Sequence, residues 1–448
     1  MDKNTLMTNM AREAHEKGLF NGAWLFAEHG KIISKGVAGS KDPDGKVPLE
    51  EDSVFDLASV SKQFTASAIM LLRRRGLLDI DDELEKFFPE IPYKGITIKM
   101  LLTHTSGLPD YMVWIDKLAM NEHRIPDNHT VIRYLVESGD EAFFAPGEKY
   151  EYCNTGYCVL AEIVEKVSGV KFEDFMRDNI FEPAGMHSTR VYHPRKDNYT
   201  IENWAHDMVP DNGKFAYPEK LPKYDWVVTL DGEHGDGYVY SNIFDLFTWD
   251  KVLKEGTLLT KEEQEIMYTP YAKLGEEEEG IVGYGFGWVV YDSKKWGRVL
   301  SHSGGWAGVN TWIGRYLDLD RVLILLSSCD PMDGRAAEIF ETNMSAIGRG
   351  EETKPFVFIE DIMVKDPDKS KWQSYCGKYE AFPGTDYVEE VVMRDGDLYA
   401  VVVNDIDRRY ELKLYPIGES TFSFKESDDE IEFREDCFVA DDEVHKKL

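Results

Sequence analysis

The sequence predicts an α+β protein: an antiparallel sheet flanked by helices, together with a helical region, followed by a small all-β barrel domain. Three observations carry this. Strand-like segments sit at both ends of the first 350 residues and enclose a stretch, roughly 80 to 255, that mixes helices with Gly- and Pro-marked loops. Residues 351–369, "EETKPFVFIEDIMVKDPDK", are charged, hold two prolines and show no periodicity, so they read as a linker. From residue 370 to 448 come short alternating strands, the pattern of a small barrel. The expected domains are therefore 1–350 and 370–448.

Taken in order, residues 3–17 read as a helix. "GAWLFAEHGKIISKGVAG" reads as two strands around a tight turn at His29-Gly30. "SVFDLA" is strand-like. From Ser61 to Arg75 the period becomes helical, with Phe64, Ala68, Leu71 and Leu72 on one stripe and Gly76 closing it. "GYCVLAEIVEKVSG" is an amphipathic helix ended by Gly169. "GYGFGWVVYD", "RVLSHSGGWAGVNTWIGRYL" and "DRVLILLSSCD" are strands with turns at "DSKKWG" and "YLDLD", and "GRAAEIFETNMSAI" is a helix. "EEVVMRDGDLYAVVV", "YELKLYPIGESTFSF" and "DEIEFRED" supply the C-terminal strands.

Composition narrows the function. The 448 residues are 42% hydrophobic with 23 Phe and 23 Tyr, enough for a large core. A formal charge of −32 argues against nucleic acid or an anionic membrane as partner. The charged N-terminus lacks the apolar run of a signal peptide, and no run of 18 apolar residues exists, so a cytoplasmic location is expected. Five scattered cysteines without CxxC spacing read as reduced thiols, neither a disulfide framework nor a zinc site.

Two segments share the pattern S-x-x-K: Ser59-Val60-Ser61-Lys62 and Ser168-Gly169-Val170-Lys171. The i, i+3 spacing puts serine and lysine on one helix face, within reach of each other. Helix polarity separates them. Ser59 precedes a long helical run, where free N–H groups and the positive dipole end favour a developing oxyanion. Ser168 lies at a helix end where the dipole is negative. An acyl-transfer site also needs a second proton-handling group and donors for the carbonyl. "YEYCNTGY" offers Tyr152 and Asn154, and "SHSGGW" offers His302, Ser303, Gly304 and Gly305. No G-x-S-x-G elbow, H-E-x-x-H zinc motif or P-loop is present.

Ser59-x-x-Lys62, Tyr152-Cys153-Asn154 and His302-Ser303-Gly304, in this order, resemble the serine β-lactamase and penicillin-binding-protein superfamily, in its class C and D-alanyl-D-alanine carboxypeptidase/D-aminopeptidase branch. "LLTHTSGLPDY" (101–111), "GDGYVYSNIFDLFTWD" (235–250) and "GYGFGW" (283–288) resemble it too, and the likeness covers roughly residues 10 to 345. The C-terminal domain resembles the lipocalin-like tails of some D-aminopeptidase- and esterase-type members.

The resemblance implies a β-lactamase/transpeptidase-like fold and a serine hydrolase. Ser59 would form an acyl-enzyme, with Lys62 and Tyr152 sharing proton transfer; which of the two is the base stays open. Asn154 would hold Lys62 and the substrate amide, and the backbone N–H groups of Ser59 and Gly305 would bind the oxyanion. His302 stands where lysine is usual, so the permanent cation for a substrate carboxylate is replaced by a group that ordinarily titrates near neutrality. That favours small D-amino-acid peptides or amides over β-lactams. A carboxylesterase and a non-turning-over acyl-binding sensor are the alternatives. No cofactor and no metal are implied. The substrate is a small molecule or short peptide, and the C-terminal domain would shape the entrance or mediate homo-oligomer assembly. Tyr111 and Trp114 either face substrate or pack within their loop, and His104 organises the "THTSGL" loop.

Overall fold

The computed structural model describes residues 1–114, 125–277, 280–380, 387–403, 409–440 and 443–448. An N-terminal helix, α1 (Lys3–Glu16), precedes a hairpin of β1 (Gly22–Glu28) and β2 (Lys31–Ala38). His29 and Gly30 have φ of 49° and 72°, the left-handed pair that a two-residue hairpin turn with native twist requires.

The late strands are β3 (Ala272–Glu277), β4 (Gly280–Tyr284), β5 (Val289–Ser293), β6 (Gly297–Trp306), β7 (Val309–Tyr316) and β8 (Arg321–Ser327). They join the hairpin in one eight-stranded sheet, ordered β2-β1-β8-β7-β6-β5-β4-β3. β1 lies antiparallel to β8 from Gly22↔Ser327 to Glu28↔Arg321, so the first strand closes against the last. Both are almost wholly buried, which explains their unbroken apolar runs where a half-exposed strand would alternate.

The helical region contains α2 (Lys62–Arg74), α3 (Asn128–Glu137) and α4 (Asn154–Ser168), and α5 (Ile243–Glu255) follows. A capping box at Asp127 and Thr130 starts α3. Gly169 at φ 76° stops α4 in a left-handed C-cap. Asn242 starts α5 by accepting the N–H groups of Phe244 and Asp245. One apolar core runs from Ala23 and Leu25 through Phe64, Ile69 and Leu72 of α2 and Leu160 and Ile163 of α4 to Ile324 and Leu326 of β8.

The chain divides into two compact units. One comprises residues 1–8, 21–111 and 115–330; the other comprises 9–20, 112–114 and 331–448. The second unit contains α6 (Gly334–Arg349), and the segment expected as a linker is anchored to that helix. Asn343 accepts from Lys354 N and donates to Lys354 O, both at 2.8 Å, and Asp333 accepts from Ile359 N at 3.1 Å. Beyond it, the expected strands form a four-stranded and a five-stranded antiparallel sheet over a core of Trp372, Phe422, Phe433 and Phe438. Backbone bonds from Glu380 to Lys446 and from Leu448 to Lys378 bridge the two sheets along one side. Among the described residues the sheets do not close into a single barrel.

Candidate active site

The route into α2 is sharply bent. Asp56 accepts from Ala58 N at 2.8 Å, Ala58 takes φ 43°, and a 3-10 turn, Ala58–Ser61, delivers Ser59 to the start of the helix. A non-glycine residue in the left-handed region carries strain of order 1–3 kcal/mol. Here it sits one residue before the predicted nucleophile. Ser61, the other serine of the motif, is consumed structurally: it is buried and accepts from Val239 N at 3.1 Å.

Lys62 is 0% exposed. Its three ammonium donors meet three oxygens: Ser59 Oγ at 3.0 Å, Asn154 Oδ1 at 2.9 Å and the Asp236 carbonyl at 2.8 Å. The cation also lies 4.9 Å from the ring centre of Tyr152 and 5.5 Å from that of Tyr157. Among the described residues no carboxylate forms an ion pair with it, so dipoles and aromatic faces alone compensate this buried charge.

Each partner is fixed in turn. Asn154 opens α4, and its N–H donates to Asp110 Oδ2 at 2.6 Å. Tyr111 is buried and donates to Asp236 Oδ2 at 2.8 Å, while its N–H reaches Thr155 Oγ1 at 2.7 Å. Of the two roles open to Tyr111, the structure realises loop packing. Trp114 is half-buried. His104 does organise its loop: it is buried, its carbonyl accepts from Glu151 N at 2.9 Å, and its Nδ1 lies 3.1 Å from both backbone polar atoms of Cys153. Its ring also backs Tyr152, centre to centre at 4.2 Å. Burial, with Lys62 nearby, pushes His104 well below its ordinary pKa. Tyr152 itself is 37% exposed, the accessible member of this aromatic group.

The opposite wall is β6. His302 and Gly304 are buried while Ser303 and Gly305 are exposed, the alternation of a strand. A Cβ on Gly304 would come 2.2 Å from Leu57 O, 2.4 Å from Thr311 Oγ1 and 3.1 Å from Ser59 N. Glycine is therefore required for the strand to lie against the Ser59 turn. At Gly305 an added Cβ would meet nothing within 4 Å. Gly287, at φ 71°, similarly lets the "GYGFGW" loop touch the backbone of Lys62 and Gln63. β5 pairs with β6 only as far as Ser301, so residues 302–306 have no strand partner on that side among the described residues.

His302 is 4% exposed. Its Nδ1 lies 2.6 Å from Ser303 O, an acceptor, so Nδ1 carries the proton and Nε2 accepts from Tyr284 Oη at 2.8 Å. Burial, reinforced by the Lys62 charge, lowers its pKa to about 4. The ordinary titration near neutrality expected from sequence is thus displaced, and at pH 7 this position is a neutral imidazole.

The structure brings Ser59, Lys62, Tyr152, Asn154 and the His302–Gly305 strand together at one place. Ser168 lies elsewhere, at the last position of α4, with its Oγ taken up by the Val170 backbone. Sequence reasoning missed Tyr284, Asp236 and Asp110, although each falls inside a stretch that resembled the family. The cysteines are free, and Cys153, Cys158 and Cys329 are buried. Among the described residues no helix is long and apolar enough to cross a membrane.

Comparison with known proteins agrees with this architecture. Residues 7–344 match the Beta-lactamase family model. Penicillin-binding protein 4* of Bacillus subtilis (strain 168) is 36% identical over 427 residues, covering 93% of this chain and 91% of that protein. Two solved structures share the fold at lower identity. The octameric penicillin-binding protein homologue from Pyrococcus abyssi superimposes with a TM-score of 0.67 at 23% identity over 99% of both chains. The D-amino acid amidase from Ochrobactrum anthropi SV3, complexed with D-phenylalanine, superimposes with a TM-score of 0.61 at 22% identity over 73% of this chain and 92% of its own. By family match, full-length relative and fold, the chain belongs to the Beta-lactamase family and is a serine hydrolase.

Proposed function

We propose that this hydrolase works through an acyl-enzyme on Ser59 and acts on small peptides or amides carrying a D-amino acid at the cleaved bond. The observation that carries the reading is the 3.0 Å contact between Lys62 Nζ and Ser59 Oγ inside a buried, fully saturated lysine site. Ser59 Oγ attacks the carbonyl carbon, and its proton passes to the Lys62–Tyr152 pair in the form that holds one proton fewer than ammonium plus phenol, either the free amine or the phenolate. The oxyanion is held by the N–H groups of Ser59 and Gly305. The C–N bond then breaks, the leaving amine takes the proton, and water releases the acid and restores Ser59. Asn154 and Asp236 act by holding Lys62 in place.

Two features support amide-type substrates of modest size. The free edge of residues 302–306 offers backbone groups to an extended peptide, in the manner of strand addition. The neutral His302 places no cation where a substrate carboxylate would dock, which favours amides and aminopeptidase-type substrates over β-lactams. The D-amino acid amidase and the penicillin-binding relatives are consistent with this class. Assembly into a homo-oligomer belongs to the same reading, since the Pyrococcus abyssi homologue is octameric, and light scattering on the purified chain tests it.

The test is a hydrolysis panel on the full chain: D- and L-alanine p-nitroanilides, a D-Ala-D-Ala peptide, a nitrophenyl ester and a chromogenic cephalosporin. D-selective anilide turnover that disappears in Ser59→Ala supports the proposal. Ester turnover alone overturns it in favour of an esterase, and an acyl adduct that never clears overturns it in favour of a sensor.

A further inference from the structure

Far along α4 from Asn154 lies a second cluster of chemistry-bearing side chains. The ligand atoms of Glu165, Glu173 and His234 all fall within 4.8 Å of one another, and so do those of His129, Glu162 and Glu165. Glu165 is common to both. Glu162 and Glu165 stand three residues apart on one helix face near the C-terminus of α4, where the dipole is already negative.

His234 is 8% exposed, and neither ring nitrogen has a hydrogen-bond partner among the described residues. Its position is imposed from outside the ring. His234 N donates to Asn128 Oδ1 at 2.9 Å, its carbonyl accepts from Asn128 Nδ2 at 2.8 Å, and the ring stacks on Phe172 at 5.0 Å and 7°. A buried imidazole held rigidly beside two carboxylates, with no hydrogen bond of its own, is an orphan that a metal ion satisfies.

Two of the carboxylates have a basic partner at the margin of the cluster: His129 Nδ1 lies 3.1 Å from Glu162 Oε2, and Glu173 faces an exposed lysine. Lys171 lies 3.6 Å from Glu173 as an exposed pair, Lys166 sits over the Phe88 ring, and Lys196 donates to Gly232 O. Glu165 Oε1 accepts from Phe172 N at 2.7 Å, which aims the side chain and leaves its other oxygen.

We propose that Glu165, Glu173 and His234 bind one divalent cation of the zinc class, with His129 and Glu162 as a flanking pair. Mixed imidazole and carboxylate donors suit zinc better than calcium or magnesium, and a small rotation of each side chain closes the cluster onto bonds of about 2.0–2.2 Å. The ion would tie the C-terminal end of α4 to the loop that supplies the Asp236 carbonyl to Lys62. Its role is therefore a brace, separate from the chemistry at Ser59.

The test uses the full chain after EDTA treatment and dialysis, titrated with zinc chloride by calorimetry and followed by thermal unfolding. One equivalent should bind and raise the melting temperature by several degrees. His234→Ala and Glu173→Gln should each weaken that binding at least tenfold, and Ser59→Ala should leave it unchanged. Glu173→Gln, at a partly exposed helical position, keeps the test valid if His234→Ala folds poorly. Absence of binding at 100 micromolar zinc, or binding that both variants retain, overturns the site. Equal stabilisation by calcium overturns the metal class.

Discussion

Ser59–Lys62 and Ser168–Lys171 share one spacing and almost nothing else. Lys62 is sealed from solvent with three oxygens around its ammonium; Lys171 is exposed beside Glu173. Ser59 rides a strained turn into the N-terminal end of a helix, with a strand laid across it at Gly304. Ser168 ends a helix, its hydroxyl spent on the next turn of backbone. The pair teaches that S-x-x-K is a statement about distance only. What sets the proposed Ser59 site apart is the end of the helix it occupies, the burial of the lysine, and a facing strand.

The largest test of that contrast is substitution of the serines. Ser59→Ala should lower turnover of any substrate by roughly 10³-fold or more, whereas Ser168→Ala should stay within about twofold of the parent. Loss of activity in a folded Ser168→Ala protein would reverse the assignment. Next come the lysines. Lys62→Met removes the ammonium that holds Ser59 Oγ, Asn154 and Asp236 together, and single-turnover acylation should fall by roughly 10²-fold or more. Lys171→Met should be silent in the same assay.

The wall comes third. Gly304→Ala drives a methyl into Leu57 O and Thr311 Oγ1 and should destabilise the fold by about 1–3 kcal/mol, with activity falling alongside. Gly305→Ala, with open space around its Cβ, should unfold at the parent's denaturant midpoint. Equal loss at both positions would mean that the strand does not lie against the Ser59 turn as described.

The smallest effect concerns pH. His302 has its pKa lowered to about 4 from an ordinary 6.5, so the neutral form persists in the folded protein down through that interval. Unfolded chain binds the proton first as pH falls, so this residue's stability contribution is full above 6.5 and is lost as pH falls towards 4. The limb of the activity profile due to His302, read as the difference between parent and His302→Gln, should therefore fall near pH 4. A limb near 6.5 would show an imidazole in contact with water.

Much of this was legible beforehand, for identifiable reasons. Helix polarity selected Ser59 because a dipole and a set of free N–H groups follow from chain direction alone. The hairpin at His29-Gly30 was legible because its turn chemistry is local. The strands of the C-terminal region followed from alternation, but alternation carries no information on closure, and the two sheets found there differ in form from the single barrel expected. Asp236 escaped notice because it serves Lys62 through a backbone carbonyl, which every residue has. Tyr284 escaped because its bond to His302 joins strands β4 and β6 across β5. The lowered pKa of His302 was out of reach for the same reason: it comes from burial and from Lys62, which is distant in sequence.

The early end of β5 has a consequence of scale. Because Gly287 folds the chain back onto α2 before β5 begins at Val289, the uncovered part of β6 runs only from residue 302 to 306. At about 3.3 Å per residue that is a ledge of about 17 Å. The loop between Tyr284 and Val289 thus works as a ruler. Lengthening β5 towards its N-terminus would shorten the ledge residue by residue, so under the proposed peptide-type substrate the length of one tight loop sets how many residues could pair with β6.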